Sequence, residues 1–263
     1  MELEKDTLMK KFYIFTCFIP FIVASCNNEM EEQGAISAEV ECVRATIKDF
    51  EFDKSDFTRT SITIKEDGPH YAWATTDTIG IFPSEGRQVE FSMASGAGST
   101  SAIFTGGGWG LKSTSTYSAY YPLIGKYYLD KTKIPIDYTG QIQNGNNSTA
   151  HLGTYDYLAA PASKVNNGTV SFNFERLGCL VQLKIKVPET GTTLNSITLS
   201  TASESFTTKG YVDISKESPV IKLKEGISDF TLPLKNITTS EDSETIYIYD
   251  ASTYRFNRIW VNS

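Results

Sequence analysis

From residue 40 onward, apolar and polar positions alternate in short runs that are separated by turn residues. In the clearest runs, apolar side chains occupy every second position of residues 170–174, 181–187 and 230–234. A period of two places these side chains on one face of a β-strand. A helical period sustained over ten or more residues is hard to find after residue 40. The pattern predicts an all-β fold of antiparallel β-sandwiches rather than a parallel α/β fold.

A change in composition indicates where the β-rich part of the chain divides. A Gly/Asn-rich stretch at residues 165–168 precedes the most regular alternation. Loops of this composition commonly separate strands or domains. We therefore predict one β-sandwich over residues 40–173 and a second over residues 174–263.

The beginning of the chain has the layout of a secretory signal peptide. Lys10 and Lys11 precede an apolar run that ends in small residues, and the run is too short for a confident membrane span. Residues 23–26, VASC, resemble the lipobox of bacterial lipoproteins, whose cysteine is diacylated and becomes the first residue of the mature protein. The alternative is an ordinary signal peptide with a chance cysteine near its end. We predict a lipoprotein signal peptide over residues 1–25 and lipidation of Cys26.

The segment after the signal peptide is polar and acidic without a regular period. Residues 26–39 are predicted to form a flexible tether. Glu29, Glu31 and Glu32 resemble the surface-export signal of lipoproteins that anaerobes display outside the outer membrane. The alternative is a tether that is merely solvated.

Charge and cysteine content exclude several classes of protein. The net charge of −7 argues against nucleic acid and against electrostatic adhesion to anionic lipid. After removal of residues 1–25, 263 − 25 = 238 residues remain, enough for one large domain or two modest domains with their own cores. Cys42 and Cys179 either form one bridge or lie apart as small apolar residues, and we favour the second interpretation.

Residues with catalytic chemistry are scarce. His70 and His151 are the two histidines of the chain, and both are predicted to be surface or packing residues. The sequence contains no CxxC, HExxH or Walker motif and no nucleophile elbow. The sequence does not exclude a catalytic pair of carboxylates of the kind that glycosidases use, because spacing along the chain does not give the distance between two carboxylates in space. The sequence predicts that the protein is not an enzyme and has no cofactor or metal site.

Four segments resemble signatures of the fimbrillin family, and they follow in the family's order. Residues 73–82 (WATTDTIGIF) resemble its W-x-x-x-D-x-I-G-I-F segment, and residues 117–122 (YSAYYP) resemble its Y-x-A-Y-Y-P strand. Residues 151–160 (HLGTYDYLAA) and 172–180 (FNFERLGCL) are similar to later signatures. Together with the lipobox, the resemblance covers roughly residues 9–200.

The resemblance implies a surface lipoprotein of the outer membrane with two transthyretin-like antiparallel β-sandwich domains. Family members are shaft, tip or anchor subunits of type V pili. The expected function is that of a structural subunit or anchor of fimbriae that takes part in cell adhesion through strand-mediated assembly. The expected partners are other pilus subunits by strand exchange, the outer membrane through the lipid on Cys26, and a host or bacterial surface receptor.

The resemblance also implies proteolytic processing of shaft subunits. An arginine-specific protease removes an N-terminal strand, and the opened groove accepts a strand from the neighbouring subunit. Arg44 and Arg59 are the candidate cleavage positions, and the sequence does not choose between them. The alternative is that neither is cut, because anchor-type members keep their lipid.

The chain departs from the family's pattern near its C-terminal end. The usual final strands of the family are not recognisable after Tyr249, so we expect the second sandwich to be abridged or the chain to be truncated.

The 14 tyrosines and 3 tryptophans also suggest an alternative function, that of a glycan-binding lipoprotein of a polysaccharide-uptake system. However, Trp73, Tyr120 and Tyr121 lie in the strand motifs, where packing is the simpler role.

Overall fold

The protein is described by a computed structural model that is almost entirely β-structure. Among the described residues, the one helical element is a single 3-10 turn, Leu152–Thr154, and no α-helix is present. Among them, no helix has the length and apolarity needed to cross a membrane. The all-β class predicted from the alternation is therefore confirmed. The structure describes residues 39–40, 42–47, 61–65, 68–106, 111–112, 115–125, 130–186, 189–201, 206–240 and 244–250.

The strands follow one another in short segments along the whole described chain. The first nine are β1 (Glu39–Val40), β2 (Cys42–Ile47), β3 (Ser61–Lys65), β4 (Gly68–Ala72), β5 (Thr78–Pro83), β6 (Val89–Ser95), β7 (Ser101–Gly106), β8 (Leu111–Lys112) and β9 (Thr116–Tyr121). The remaining strands are β10 (Ile134–Asp137), β11 (Gln143–Asn144), β12 (Leu158–Asn166), β13 (Thr169–Arg176), β14 (Cys179–Ile185), β15 (Thr193–Ser200), β16 (Phe206–Asp213), β17 (Val220–Ile227), β18 (Asp229–Thr238) and β19 (Glu244–Asp250).

Seven strands form a sheet that closes on itself, in the order β12-β13-β2-β7-β6-β5-β9. All neighbouring pairs are antiparallel except β13 and β2, which are parallel. The parallel pair departs from the purely antiparallel arrangement that we predicted. Period-two alternation sets which face of a strand is buried, but it does not set the direction of the neighbouring strand.

Trp73 lies at the centre of the core that the closed sheet surrounds. Its side chain is fully buried, and its ring meets Phe104, Tyr121 and Phe174 edge to face at centroid distances of 5.1, 5.4 and 5.5 Å. The indole Nε1 donates a hydrogen bond to the carbonyl oxygen of Thr100 at 3.1 Å. Edge-to-face contacts match the positive rim of one ring to the negative face of another. The tryptophan of the first sequence motif is therefore a packing residue.

Two other residues of that motif fix the backbone near Trp73. The buried carboxylate of Asp77 accepts a hydrogen bond from the Ala74 amide at 2.7 Å and one from the Tyr121 hydroxyl at 2.9 Å. Gly80 lies opposite Tyr120 in the ladder between β5 and β9, where a Cβ atom would overlap the tyrosine ring. The aspartate holds a turn, and the glycine leaves room for a buried aromatic side chain.

Eight strands between residues 134 and 250 form three smaller sheets. Their strand orders are β10-β16-β17, β11-β18-β15 and β14-β19. Leu199 and Leu232, from β15 and β18, pack in one apolar cluster with Ile248 of β19 and Leu183 of β14. Alternating positions of facing strands thus meet in a shared core, as the sequence pattern predicted.

A third apolar cluster contains residues from both halves. Phe82 and Tyr120 of the closed sheet pack in it with Val212 of β16 and Tyr247 of β19. Strand β13 runs across the boundary that we predict between residues 173 and 174. The division of the chain into two domains stays a prediction.

Candidate functional site

Strand β2 occupies an interior position in the closed sheet. It pairs with β13 on one side, where Val43, Ala45 and Ile47 lie opposite Val170, Phe172 and Phe174. It pairs with β7 on the other side over residues 43–46. Because both of its edges are hydrogen-bonded, β2 completes the sheet rather than extending its margin.

The side chains of β2 alternate between the core and the solvent. Val43 and Ala45 are fully buried and Ile47 is 2% exposed, whereas Arg44 is exposed. At about 3.3 Å per residue, these six residues fill a slot about 20 Å long. Without β2, the slot would expose apolar side chains and two rows of unpaired backbone groups.

The connections of β2 make it separable from the rest of the sheet. It is the strand of the closed sheet that comes first in the chain, and residues 48–60 connect it to the β3–β4 hairpin. A single cut between residues 47 and 61 would leave β2 attached to the rest of the closed sheet by noncovalent contacts alone. This arrangement can support the exchange of one strand for another.

Of the three candidate modification positions, the structure describes only Arg44. Arg44 lies within β2, opposite Ser171 of β13 and Ile103 of β7. Its side chain is exposed, but its backbone lies inside the ladder. Cys26 and Arg59 lie outside the described residues, so lipidation and cleavage at these positions stay predictions.

The two cysteines of the body are not joined to each other. Cys42 is partly exposed on β2, with its Sγ atom 3.5 Å from Thr169 Oγ1, and Cys179 is exposed at the start of β14. Within the described part of the chain, no disulfide connects them.

Neither histidine lies in a cluster that could hold a metal ion, among the residues that the structure describes. His70 is buried on β4 at 4% exposure. His151 precedes the 3-10 turn, and its Nε2 atom lies 3.0 Å from the carbonyl oxygen of Tyr247. Because a carbonyl oxygen only accepts, Nε2 carries the proton and donates it. Burial lowers the pKa of His151 below its ordinary value.

This lowered pKa predicts a loss of stability in mild acid. The unfolded chain binds a proton at His151 near the ordinary pKa of about 6.5, whereas the folded chain resists protonation until a lower pH. The contribution of His151 is therefore fully present above about pH 6.5 and is lost as the pH falls through the folded-state pKa. We expect the melting temperature to fall between about pH 7.5 and 5.5.

The matched variant is His151→Gln, which keeps a donor for Tyr247 but does not titrate. Its melting temperature, followed by circular dichroism, is expected to vary less over this range than that of the wild type. Most carboxylates stay ionised here, because their ordinary pKa is about 4. Equal pH dependence in both proteins would contradict the role given to His151.

A buried charged cluster, which the sequence reasoning did not assign, connects distant segments. Asp156 is fully buried, and its Oδ1 atom accepts hydrogen bonds from Arg176 Nε at 3.1 Å and from the Tyr249 hydroxyl at 3.2 Å. The Arg176 guanidinium lies over the Tyr71 ring, 3.0 Å from its centroid. Burial, and then the charge of Asp156, raise the pKa of Tyr249 well above its ordinary value. The sequence did contain an indication of this cluster, because Asp156 and Arg176 are charged residues within the two later family-like segments.

The sequence matches one family model over most of its length. Residues 58–255 match a model described as Fimbrillin-like. No curated protein matches the chain significantly.

Several solved structures are similar to the chain at low sequence identity. One is described as a candidate cell adhesion protein from Bacteroides ovatus, with 17% identity, coverage of 81% of this chain and 78% of that chain, and a TM-score of 0.49. Another, a candidate cell adhesion protein from Bacteroides uniformis, has 15% identity, coverage of 79% and 74%, and a TM-score of 0.47. A fimbrial protein from Bacteroides ovatus has 15% identity, coverage of 83% and 47%, and a TM-score of 0.33. At these TM-scores the likeness assigns neither architecture nor function.

Proposed function

The chain belongs to the fimbrillin-like family, and on that ground we propose that it is a structural subunit or anchor of surface fimbriae that takes part in cell adhesion. Its partners in this role are other pilus subunits, together with a receptor on a host or bacterial surface. The proposal assigns the protein no catalytic activity. The observation that carries its assembly mechanism is the position of strand β2.

We propose that β2 is the strand that is exchanged during assembly. Its inward face supplies Val43, Ala45 and Ile47 to the core of the closed sheet, and both of its edges are paired. A strand from a neighbouring subunit, with apolar side chains at alternate positions, would restore both the buried surface and the backbone hydrogen bonds. The exchange would therefore cost little net stability while joining two subunits.

We further propose that cleavage follows Arg59 rather than Arg44. A protease binds its substrate as an extended segment with free backbone groups, and the backbone of Arg44 lies within the ladders to β13 and β7. A cut after Arg44 would also leave Ala45 to Ile47 in the slot. A cut after Arg59 falls between β2 and β3 and separates the whole of β2 from the rest of the sheet.

Delivery to the cell surface completes the proposal. Residues 1–25 would direct export, and a lipid on Cys26 would attach the chain to the outer membrane through the tether of residues 26–39. Stable attachment requires more than one acyl chain, which a diacylated cysteine provides. A subunit cut after Arg59 would leave this anchor behind, whereas an anchor subunit would keep it.

The aromatic side chains of the strand motifs give the glycan-binding alternative no support. Trp73, Tyr120 and Tyr121 are at most 3% exposed. The ring of Tyr120 is enclosed, with its hydroxyl 2.7 Å from Gln88 Oε1, and burial raises its pKa to about 12. Rings that are enclosed in this way cannot stack on a sugar. We do not propose this function.

Limited digestion with an arginine-specific endoprotease tests the proposed assembly. The wild-type protein is expected to give a product that begins at Thr60 and then forms oligomers that resist SDS. Mass spectrometry identifies the new terminus, and gel electrophoresis without boiling detects the oligomers.

Two variants that each remove one cation serve as test and control. Arg59→Gln is expected to prevent both the cut and the oligomers, whereas Arg44→Gln is expected to behave as the wild type. A new terminus at Ala45 would overturn the choice of Arg59. A product that begins at Thr60 but stays monomeric would overturn strand exchange through the β2 slot.

A further inference from the structure

The chain contains two Asn-Gly pairs, and the structure places them in different surroundings. Asn167 and Gly168 form the loop between β12 and β13, whereas Asn144 ends the short strand β11 and Gly145 follows it. In such a pair, the backbone nitrogen of the glycine can attack the side-chain amide carbon of the asparagine. Glycine favours this attack because it has no Cβ atom and a permissive backbone. The outcome in the folded protein therefore depends on how firmly the two reacting groups are held.

The reacting groups of Asn167 and Gly168 are held weakly. The two residues connect Asn166 and Thr169, which lie opposite each other in the ladder, and both have a positive φ, 48° and 72°. Asn-Gly with two positive φ angles is the preferred sequence of a two-residue hairpin loop. Asn167 is exposed, and a Cβ atom on Gly168 would meet nothing within 4 Å. Among the described residues, neither the Asn167 side chain nor the Gly168 amide forms a hydrogen bond.

The corresponding groups of Asn144 and Gly145 are bonded to β18. The Gly145 amide donates to the Lys235 carbonyl at 2.8 Å, so the attacking nitrogen is engaged. The Oδ1 atom of Asn144 accepts from Asn236 Nδ2 at 2.8 Å, so the carbon under attack is held by its own oxygen. Asn144 also lies opposite Lys235 in the parallel pairing of β11 with β18. Both hydrogen bonds would have to break before this pair could react.

We propose that Asn167 is a site of intramolecular deamidation. A bond forms between the Gly168 nitrogen and Cγ of Asn167, and the bond between Cγ and Nδ2 breaks. The side-chain nitrogen leaves as ammonia with the proton that the Gly168 nitrogen gives up. Water then opens the resulting succinimide ring at either carbonyl, which gives aspartate or isoaspartate at position 167. Water is the only co-reactant that the sequence of steps requires.

The modification changes both the charge and the backbone of the hairpin. Either product replaces a neutral amide with a carboxylate, and isoaspartate also adds one methylene group to the backbone of a two-residue loop. Loop length sets the register of a hairpin. The loop leads directly into Thr169, which lies opposite Cys42 of β2, so the change falls at one end of the β2 slot. The proposal goes beyond the fimbrial function and does not depend on cleavage after Arg59.

Incubation of the uncleaved, full-length protein at mildly alkaline pH, followed by peptide mapping with mass spectrometry, tests this proposal. We expect Asn167 to convert about tenfold faster than Asn144, because two hydrogen bonds restrain the second pair. Fragmentation by electron transfer separates isoaspartate from aspartate, and we expect both products at position 167. The rate is expected to rise with pH, because the attacking nitrogen must lose its proton.

The matched variant is Asn236→Gly, which removes the donor to Asn144 and tolerates the positive φ of 54° at this position. It is expected to speed conversion at Asn144 and to leave the rate at Asn167 unchanged. In urea, both pairs of the wild type are expected to convert at similar rates, because only the local sequence then matters.

Three results would overturn the proposal. The first is an equal rate at Asn167 and Asn144 in the folded wild type. The second is an Asn167 that converts in urea but not in the folded protein. The third is aspartate without isoaspartate at position 167, which would indicate direct hydrolysis rather than attack by Gly168. An unchanged rate at Asn144 in Asn236→Gly would contradict the protection that we assign to β18.

Discussion

Replacing Arg176 with methionine is expected to lower the free energy of unfolding by about 3–5 kcal/mol. The variant keeps most of the aliphatic stem of Arg176 but removes the cation beside Asp156, whose side chain is fully buried. A buried carboxylate that loses its cationic partner bears a desolvation cost that water does not repay. The contact of the guanidinium with the Tyr71 ring is lost as well. Urea unfolding followed by circular dichroism measures the change.

An exposed ion pair provides the comparison for this variant. Lys209 and Asp137 lie 3.9 Å apart with side chains that are 42% and 50% exposed. Lys209→Met is expected to change the free energy of unfolding by less than about 1 kcal/mol, because water screens such pairs. Similar losses for Arg176→Met and Lys209→Met would contradict the role that we give to burial.

A double variant separates the loss of charge from the loss of packing. Arg176→Met/Asp156→Asn removes both charges and leaves an amide oxygen that can accept from the Tyr249 hydroxyl. Because the uncompensated carboxylate is gone, this protein is expected to be more stable than Arg176→Met alone. If the double variant is no more stable, the cost comes from the lost packing against Tyr71.

The strands themselves were largely predictable from the sequence, because burial on one face imposes a period of two. The alternating runs at residues 170–174, 181–187 and 230–234 correspond to β13, β14 and β18. The order of the strands was not predictable in the same way. Nothing in the pattern of residues 42–47 indicates that β2 lies parallel to β13, because alternation is the same for either direction.

For the candidate sites too, the sequence does not show which distant segments pair with each other. The alternation placed Arg44 within a strand, but the sequence could not show that both edges of that strand are paired. The sequence assigned no role to Gln141 and Gln143, which are buried and accept hydrogen bonds from the Tyr249 and Tyr247 amides, 108 and 104 residues away in the chain. Hydrogen bonds between distant segments leave no local pattern in the sequence.

Replacing Trp73 with alanine is expected to lower the free energy of unfolding by about 3–5 kcal/mol. The indole is fully buried and contacts the rings of Phe104, Tyr121 and Phe174, which belong to β7, β9 and β13. Because three separate strands meet on this one side chain, the surrounding structure cannot collapse onto the cavity without shifting the closed sheet. The Thr100 carbonyl also loses the indole donor and keeps only the hydrogen bond from the Ile47 amide.

The size of this loss bears on the proposed exchange of β2. Phe174 contacts Trp73 on one side and lies opposite Ile47 of β2 in the ladder, so the same core supports the slot that β2 fills. Val220→Ala is the control, because Val220 is 44% exposed and its truncation is expected to change stability by less than about 0.5 kcal/mol. Urea unfolding measures both losses of stability. If Trp73→Ala lost no more stability than Val220→Ala, Trp73 would not stabilise the core. The β2 slot would then lack the well-packed core against which an exchanged strand must pack.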